Sequence, residues 1–143
     1  MKSLDELLGE EEPHGTFHDA TVSAMSYDGH ASTATLTAAF CVGDPNASQQ
    51  TERERRRVGV LRLEGVRVWR HDSADAEGGA PGVWLTSEGP LAEAKGDVAA
   101  AIRREFAAEP YTWYFFFSDS NSFIYWTARR VNFRWQAPER PAA

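Results

Sequence analysis

Alternation of apolar and polar positions at a period of two dominates this chain and predicts strands. From Ala20, Val22, Ala24 and Ser26 fall on one face, with Thr21, Met25 and Tyr27 on the other. Asp28-Gly29 supplies a hairpin turn, and Ala34 to Val42 returns as a second strand. Gly43-Asp44-Pro45-Asn46 has turn chemistry. A third strand runs through Val58 to Leu63, is interrupted by Glu64-Gly65, and resumes over Val66 to Trp69. The polar, Gly- and Asp-rich stretch from His71 to Gly82 is expected to be an exposed loop, with a short strand at Val83 to Thr86.

The helical period of 3.6 appears in two places. Ser3-Leu4-Asp5-Glu6 has the S-x-x-E capping pattern, predicting a short helix from Leu4 to about Gly9, ended by Glu10-Glu11-Glu12 and Pro13. After Pro90, the residues Ala94, Val98, Ile102 and Phe106 fall at four-residue spacing and form one apolar stripe. Gly96 interrupts that helix, so Asp97 is an alternative start as its N-cap; Pro110 bars its continuation. These elements predict an α+β fold: a curved, mostly antiparallel sheet of about six strands, half-barrel-like, with one principal amphipathic helix. Residues 1–16 form an acidic helical segment, 17–135 a single domain, and 136–143 a disordered tail.

The segment from Tyr111 to Trp135 holds eleven of the seventeen aromatic residues. With Ser118 to Ser122 as a turn and Phe117 opposite Ile124, one face carries Tyr111, Trp113, Phe115, Phe117, Ile124, Trp126 and Ala128. The other carries Tyr114, Phe116, Phe123, Tyr125 and Thr127. A hairpin apolar on both faces needs cover on both. The preceding helix can supply one cover and curvature of the sheet the other. Arg129-Arg130 breaks the pattern, as a bulge or an exit from the covered region does.

Composition narrows the function. At 143 residues the chain is long enough for one core, and no apolar run approaches the length of a membrane span. The amino terminus lacks the apolar region of a signal peptide, and the cytoplasm is the expected compartment. A net charge of −6 disfavours nucleic acid as a partner. The basic cluster Arg53, Arg55, Arg56 and Arg57 is read as the solvated start or edge of a strand. Cys41, the single cysteine, sits in an apolar run and is expected to be buried.

Candidate chemistry is sparse. His18-Asp19 and His71-Asp72 invite a metal reading, but neighbours on a strand point to opposite faces and cannot easily share an ion. His14 and His18 are four apart, with Pro13 and Gly15 against a helix. No nucleotide-, zinc- or nucleophile-type motif occurs, so neither a catalytic residue nor a cofactor is assigned.

Phe17-His18-Asp19-Ala20 opens one strand, and a second ends in Cys41-Val42-Gly43-Asp44. With Leu63-Glu64-Gly65-Val66 and the series Phe117-Ser118-Asp119, Ile124, Ala128, Val131 and Trp135, the chain resembles small bacterial domains grouped with immunity proteins of polymorphic toxin systems. The resemblance implies a non-enzymatic protein that binds and blocks a cognate toxin.

Three functional expectations follow. The first is a protein-binding module, its contact surface including Glu10, Glu11 and Glu12, because complementary charge steers association. The second is a small-ligand binder or hydrolase with a pocket inside the curved sheet near Tyr114, Phe116 and Tyr125. The third is a subunit of a larger assembly or a homodimer joined through an edge strand.

Overall fold

A computed structural model describes residues 3–73 and 82–137. The chain order is α1 (Leu4–Gly9), β1 (Thr16–Asp28), β2 (Thr33–Cys41), α2 (Gln50–Arg53), β3 (Arg56–Glu64), β4 (Val68–Ser73), β5 (Trp84–Pro90), a 3-10 turn (Leu91–Glu93), α3 (Asp97–Phe106), β6 (Tyr111–Phe117), β7 (Ser122–Ala128) and β8 (Arg130–Trp135). The fold is α+β. Its strands form one antiparallel eight-stranded sheet in the order β4-β7-β6-β5-β1-β2-β3-β8.

The two extra strands are continuations of others. Only residues 65–67 separate β3 from β4, and only Arg129 separates β7 from β8. β3 pairs with β8 up to Glu64↔Arg130, and β4 pairs with β7 from Val68↔Thr127, so the register changes by one residue between them. Gly65 occupies this bulge with φ +64°, a left-handed conformation that costs glycine little. The expected interruption at Glu64-Gly65 and the break at Arg129 are thus opposite sides of one kinked ribbon. Backbone bonds span the kink, from Arg67 N–H to Thr127 O (3.2 Å) and from Arg129 N–H to Glu64 O (3.0 Å).

Curvature brings the sheet round on itself without closing the ladder. Tyr27 of β1 stacks on Trp69 of β4 at 5.6 Å although three strands lie between them in the sheet. Val66 N–H donates to Ser32 O of the β1–β2 turn at 2.8 Å. The enclosed face carries the main core: Phe17, Leu36, Phe40, Leu61, Leu63, Leu85, Phe115, Phe117, Ile124 and Trp126 are fully or almost fully buried. Each such side chain is worth about 1.5–3 kcal/mol of burial.

Leu4 and Leu8 of α1 belong to the same core, so the amino-terminal segment is integral to it. The expected cap is present: Ser3 Oγ accepts the Glu6 N–H at 3.3 Å. A smaller cluster on the outer face joins Ala99 and Ile102 of α3 to Leu91, Ala94 and Tyr125. α3 runs from Asp97, but its N-cap is Gly96, at φ +116°, and not Asp97 as expected; Asp97 is the first helical residue.

Several expectations are corrected in detail. Phe117 pairs with Ser122 rather than Ile124, because the turn is tighter and the ladder runs two residues further. A shift of two leaves each side chain on its expected face. β4 continues through His71 and Asp72 to Ser73, where pairing with β7 holds it. Most of the expected loop (74–81) and tail (138–143) lies outside the described residues. Cys41 is half-buried, not buried, because Ala38, Phe40 and Val42 take the inward positions of the alternation. No helix among the described residues is long and apolar enough to cross a membrane.

Candidate functional site

The two charge runs of the sequence meet each other. Arg55 grips Glu12 through two bonds, Nη1 to Oε2 at 3.1 Å and Nη2 to Oε1 at 2.9 Å, and Arg57 pairs with Glu11 at 3.1 Å. The Arg55 hydrogen bond holds the buried Glu12 carboxyl below its ordinary range, against the opposing effect of burial. Glu10 is exposed at the C-cap of α1. Glu11 and Glu12 are thus engaged with arginines at the entry to β3, and their acidity is neutralised internally.

The aromatic candidates separate. Tyr125 is 2% exposed, packed with Ile102 and Ala99 of α3. Burial, then the Asp72 charge, raises its phenol above the usual range. Tyr114 and Phe116 are half-buried beside Phe123, on the outer face rather than inside the curve as expected. The interior is filled by the opposite face of the same hairpin, which removes room for a pocket there.

His18 and Asp19 come together, contrary to the alternation argument. Thr16 pairs with Cys41 and Thr21 with Ala39, so five steps along β1 match two along β2 and the strand bulges between them. Asp19 takes φ +63°, and its Oδ2 lies 3.3 Å from His18 Nε2. His18 Nδ1–H donates to Thr86 O of β5. No group of three or more His, Cys, Asp and Glu side chains suited to a metal occurs among the described residues.

This bulge positions a residue that no sequence motif marks. Trp84, at the start of β5, is 50% exposed and its neighbour Val83 54% exposed. The indole is nevertheless fixed: Nε1 donates to Asp19 Oδ1 at 3.1 Å. The Val83 and Trp84 backbone N–H groups donate to the Asp119 carboxylate at 3.0 and 3.1 Å. Desolvation works to raise the Asp119 carboxyl, but the Val83, Trp84 and Asp119 N–H donors together outweigh it and hold it low. A signal existed: Val83 and Trp84 are consecutive large apolar residues directly after a polar, Gly-rich stretch, at the entry to a short strand.

One partly buried carboxyl is also notable. Glu88 of β5 accepts the indole N–H of Trp113. Burial, reinforced by the nearby Asp5 and Glu93 charges, pushes its pKa up to about 7, with the indole bond opposing.

No protein-family model, no curated protein and no solved structure matches this chain.

Proposed function

We propose that this protein is a non-catalytic protein-binding module, an immunity-type inhibitor of a cognate toxin, that docks through the ridge of Trp84 and Val83. The observation that supports this reading is a tryptophan half-exposed yet hydrogen-bonded at both its ring and its backbone N–H. A free surface tryptophan loses rotamer freedom when a partner closes on it. One already held in place loses less, and rigid, amphipathic tryptophans are recurrent anchors of interfaces. The resemblance seen in the sequence, whose residues include His18, Asp19 and Asp119, falls on the same corner of the fold.

The test is affinity capture of the tagged protein from its native host, with mass spectrometry of what co-elutes. Wild type and an Arg104→Ala control on the exposed side of α3 are expected to retain one stoichiometric protein that Trp84→Ala loses. A partner held equally by Trp84→Ala would overturn the docking face. Absence of any stoichiometric partner would overturn the module reading.

A further inference from the structure

The outer face of the aromatic hairpin is not wholly covered by α3. Beyond Tyr125 lies a cleft of about 230 Å³, lined by Ser87, Glu93, Ala94, Lys95, Tyr114, Phe116 and Phe123. Its floor is aromatic: Phe116 and Phe123 have ring centroids 4.8 Å apart, and Tyr114 lies 6.1 Å from Phe123. Its wall is the link between the 3-10 turn and α3. That wall is anchored, since Ala94 is buried, its N–H bonds Leu91 O at 3.0 Å, and its carbonyl accepts the Arg103 guanidinium at 2.7 Å.

Two side chains of opposite charge stand on this wall, on either side of Ala94. Among the described residues, neither Glu93 nor Lys95 has an ion-pair or hydrogen-bond partner, and they do not pair with each other. Gly89 makes room for the acid: a Cβ there would stand 3.2 Å from Glu93 Oε2 and 3.4 Å from the Tyr114 ring. The Glu93 carboxylate and the Tyr114 ring thus flank Gly89 and line the same cleft.

We propose that this cleft binds a small zwitterion with an apolar or aromatic body, of the α-amino acid class. Its ammonium group meets the Glu93 carboxylate beside Tyr114, where a ring also attracts a cation. Its carboxylate meets the Lys95 ammonium and the Ser87 hydroxyl, and its body lies on Phe116 and Phe123. Charge decides among ligand classes. A purely cationic ligand uses Glu93 but not Lys95, a purely anionic one Lys95 but not Glu93, and an uncharged one neither, whereas a zwitterion engages both. Size points the same way, because the cleft is smaller than the roughly 300–1,000 Å³ of drug-sized pockets. The site is independent of the docking ridge at Trp84.

L-Tryptophan and L-phenylalanine are the probes, titrated into the full chain by calorimetry and by amide chemical shifts. N-acetyl-tryptophan, which lacks the cation, and tryptamine, which lacks the carboxylate, are the single-charge controls. Saturable binding of the amino acids is expected, with shifts at Phe116 and Phe123. Each single-charge control, and each of Glu93→Gln and Lys95→Gln, is expected to bind about tenfold more weakly, the usual scale of one lost charge-assisted bond. N-acetylation should cost nothing further in Glu93→Gln. Both variants sit on exposed side chains, and an unchanged far-ultraviolet spectrum checks their folding. No saturable binding below about 10 mM, or equal binding of tryptamine and tryptophan, overturns the proposal.

Discussion

The indole nitrogen of Trp84 lies 3.1 Å from the carboxylate of Asp19, a residue that itself holds φ +63°. The exposed ring thus depends on a backbone conformation that few side chains adopt readily. Asp19→Ala loses the acceptor and places a Cβ-bearing residue without local hydrogen bonding in the left-handed region, together about 2 kcal/mol. Asp19→Asn tolerates that conformation and can still accept from the indole, so it is expected to lose less than half as much. Urea midpoints of the two variants check this; equal losses would show that the conformation and the bond do not matter.

Glu88 gives the protein a pH dependence of definite sign. Its folded pKa of about 7 stands above the unfolded value near 4.5, so the folded state binds the proton more tightly. The stability this contributes is full below about pH 4.5 and is lost as pH rises through 7. The loss is about 1.4 kcal/mol per unit in that window, or about 3 kcal/mol in all, as an upper figure. Glu88→Gln can still accept the Trp113 indole bond and should abolish this fall. Denaturation of wild type and variant from pH 4.5 to 8 isolates the effect, since the other titrating groups are common to both.

Glu12 behaves in the opposite sense. Its depressed pKa means that its contribution is present above the unfolded value near 4.5 and is lost as pH falls through the folded one. Arg55→Ala strips two bonds from a buried carboxylate and is expected to cost about 1–3 kcal/mol. Arg57→Ala loosens the exposed Glu11 and removes the guanidinium from over the Trp135 ring, 5.0 Å away, together about 1 kcal/mol. Thermal denaturation at neutral pH separates them, and similar losses would contradict the difference in burial.

Gly65 and Gly9 make a contrasting pair. Gly65 has φ +64°, and a Cβ there would meet the Arg129 Cβ at 3.0 Å, so Gly65→Ala should cost at least about 1 kcal/mol. Nothing lies within 4 Å of a Cβ at Gly9 in α1, and Gly9→Ala should be neutral or stabilising by up to about 1 kcal/mol. Calorimetric melting of both variants reads the difference directly.

Most of the fold is legible because its signals are local. Ser3 caps α1, Gly96 and Asp97 start α3, and the period of two through Trp113, Phe115 and Phe117 assigns the enclosed face whatever the register. What was not legible depends on contacts distant in sequence. The Glu12–Arg55 pair joins residues 43 apart, and no periodicity announces that an acidic and a basic run will meet. Alternation failed at His18 and Asp19 because a bulge in β1 overrode it. The short strand at Val83 to Thr86 is legible, but the anchoring of Trp84 is not, because its partners Asp19 and Asp119 lie 65 and 35 residues away.

The kinked ribbon also governs the order in which this protein can be completed during synthesis. β2 and β3 are neighbours in both sequence and sheet, yet the other side of β3 pairs with β8, the last strand in chain order among the described residues. Until residues 130–135 arrive, β3 offers a bare row of backbone donors and acceptors to any neighbouring nascent chain. Arg56 and Arg57 stand at the opening of that strand, where charge discourages foreign pairing. The basic cluster thus guards an edge that is exposed for only part of the molecule's life.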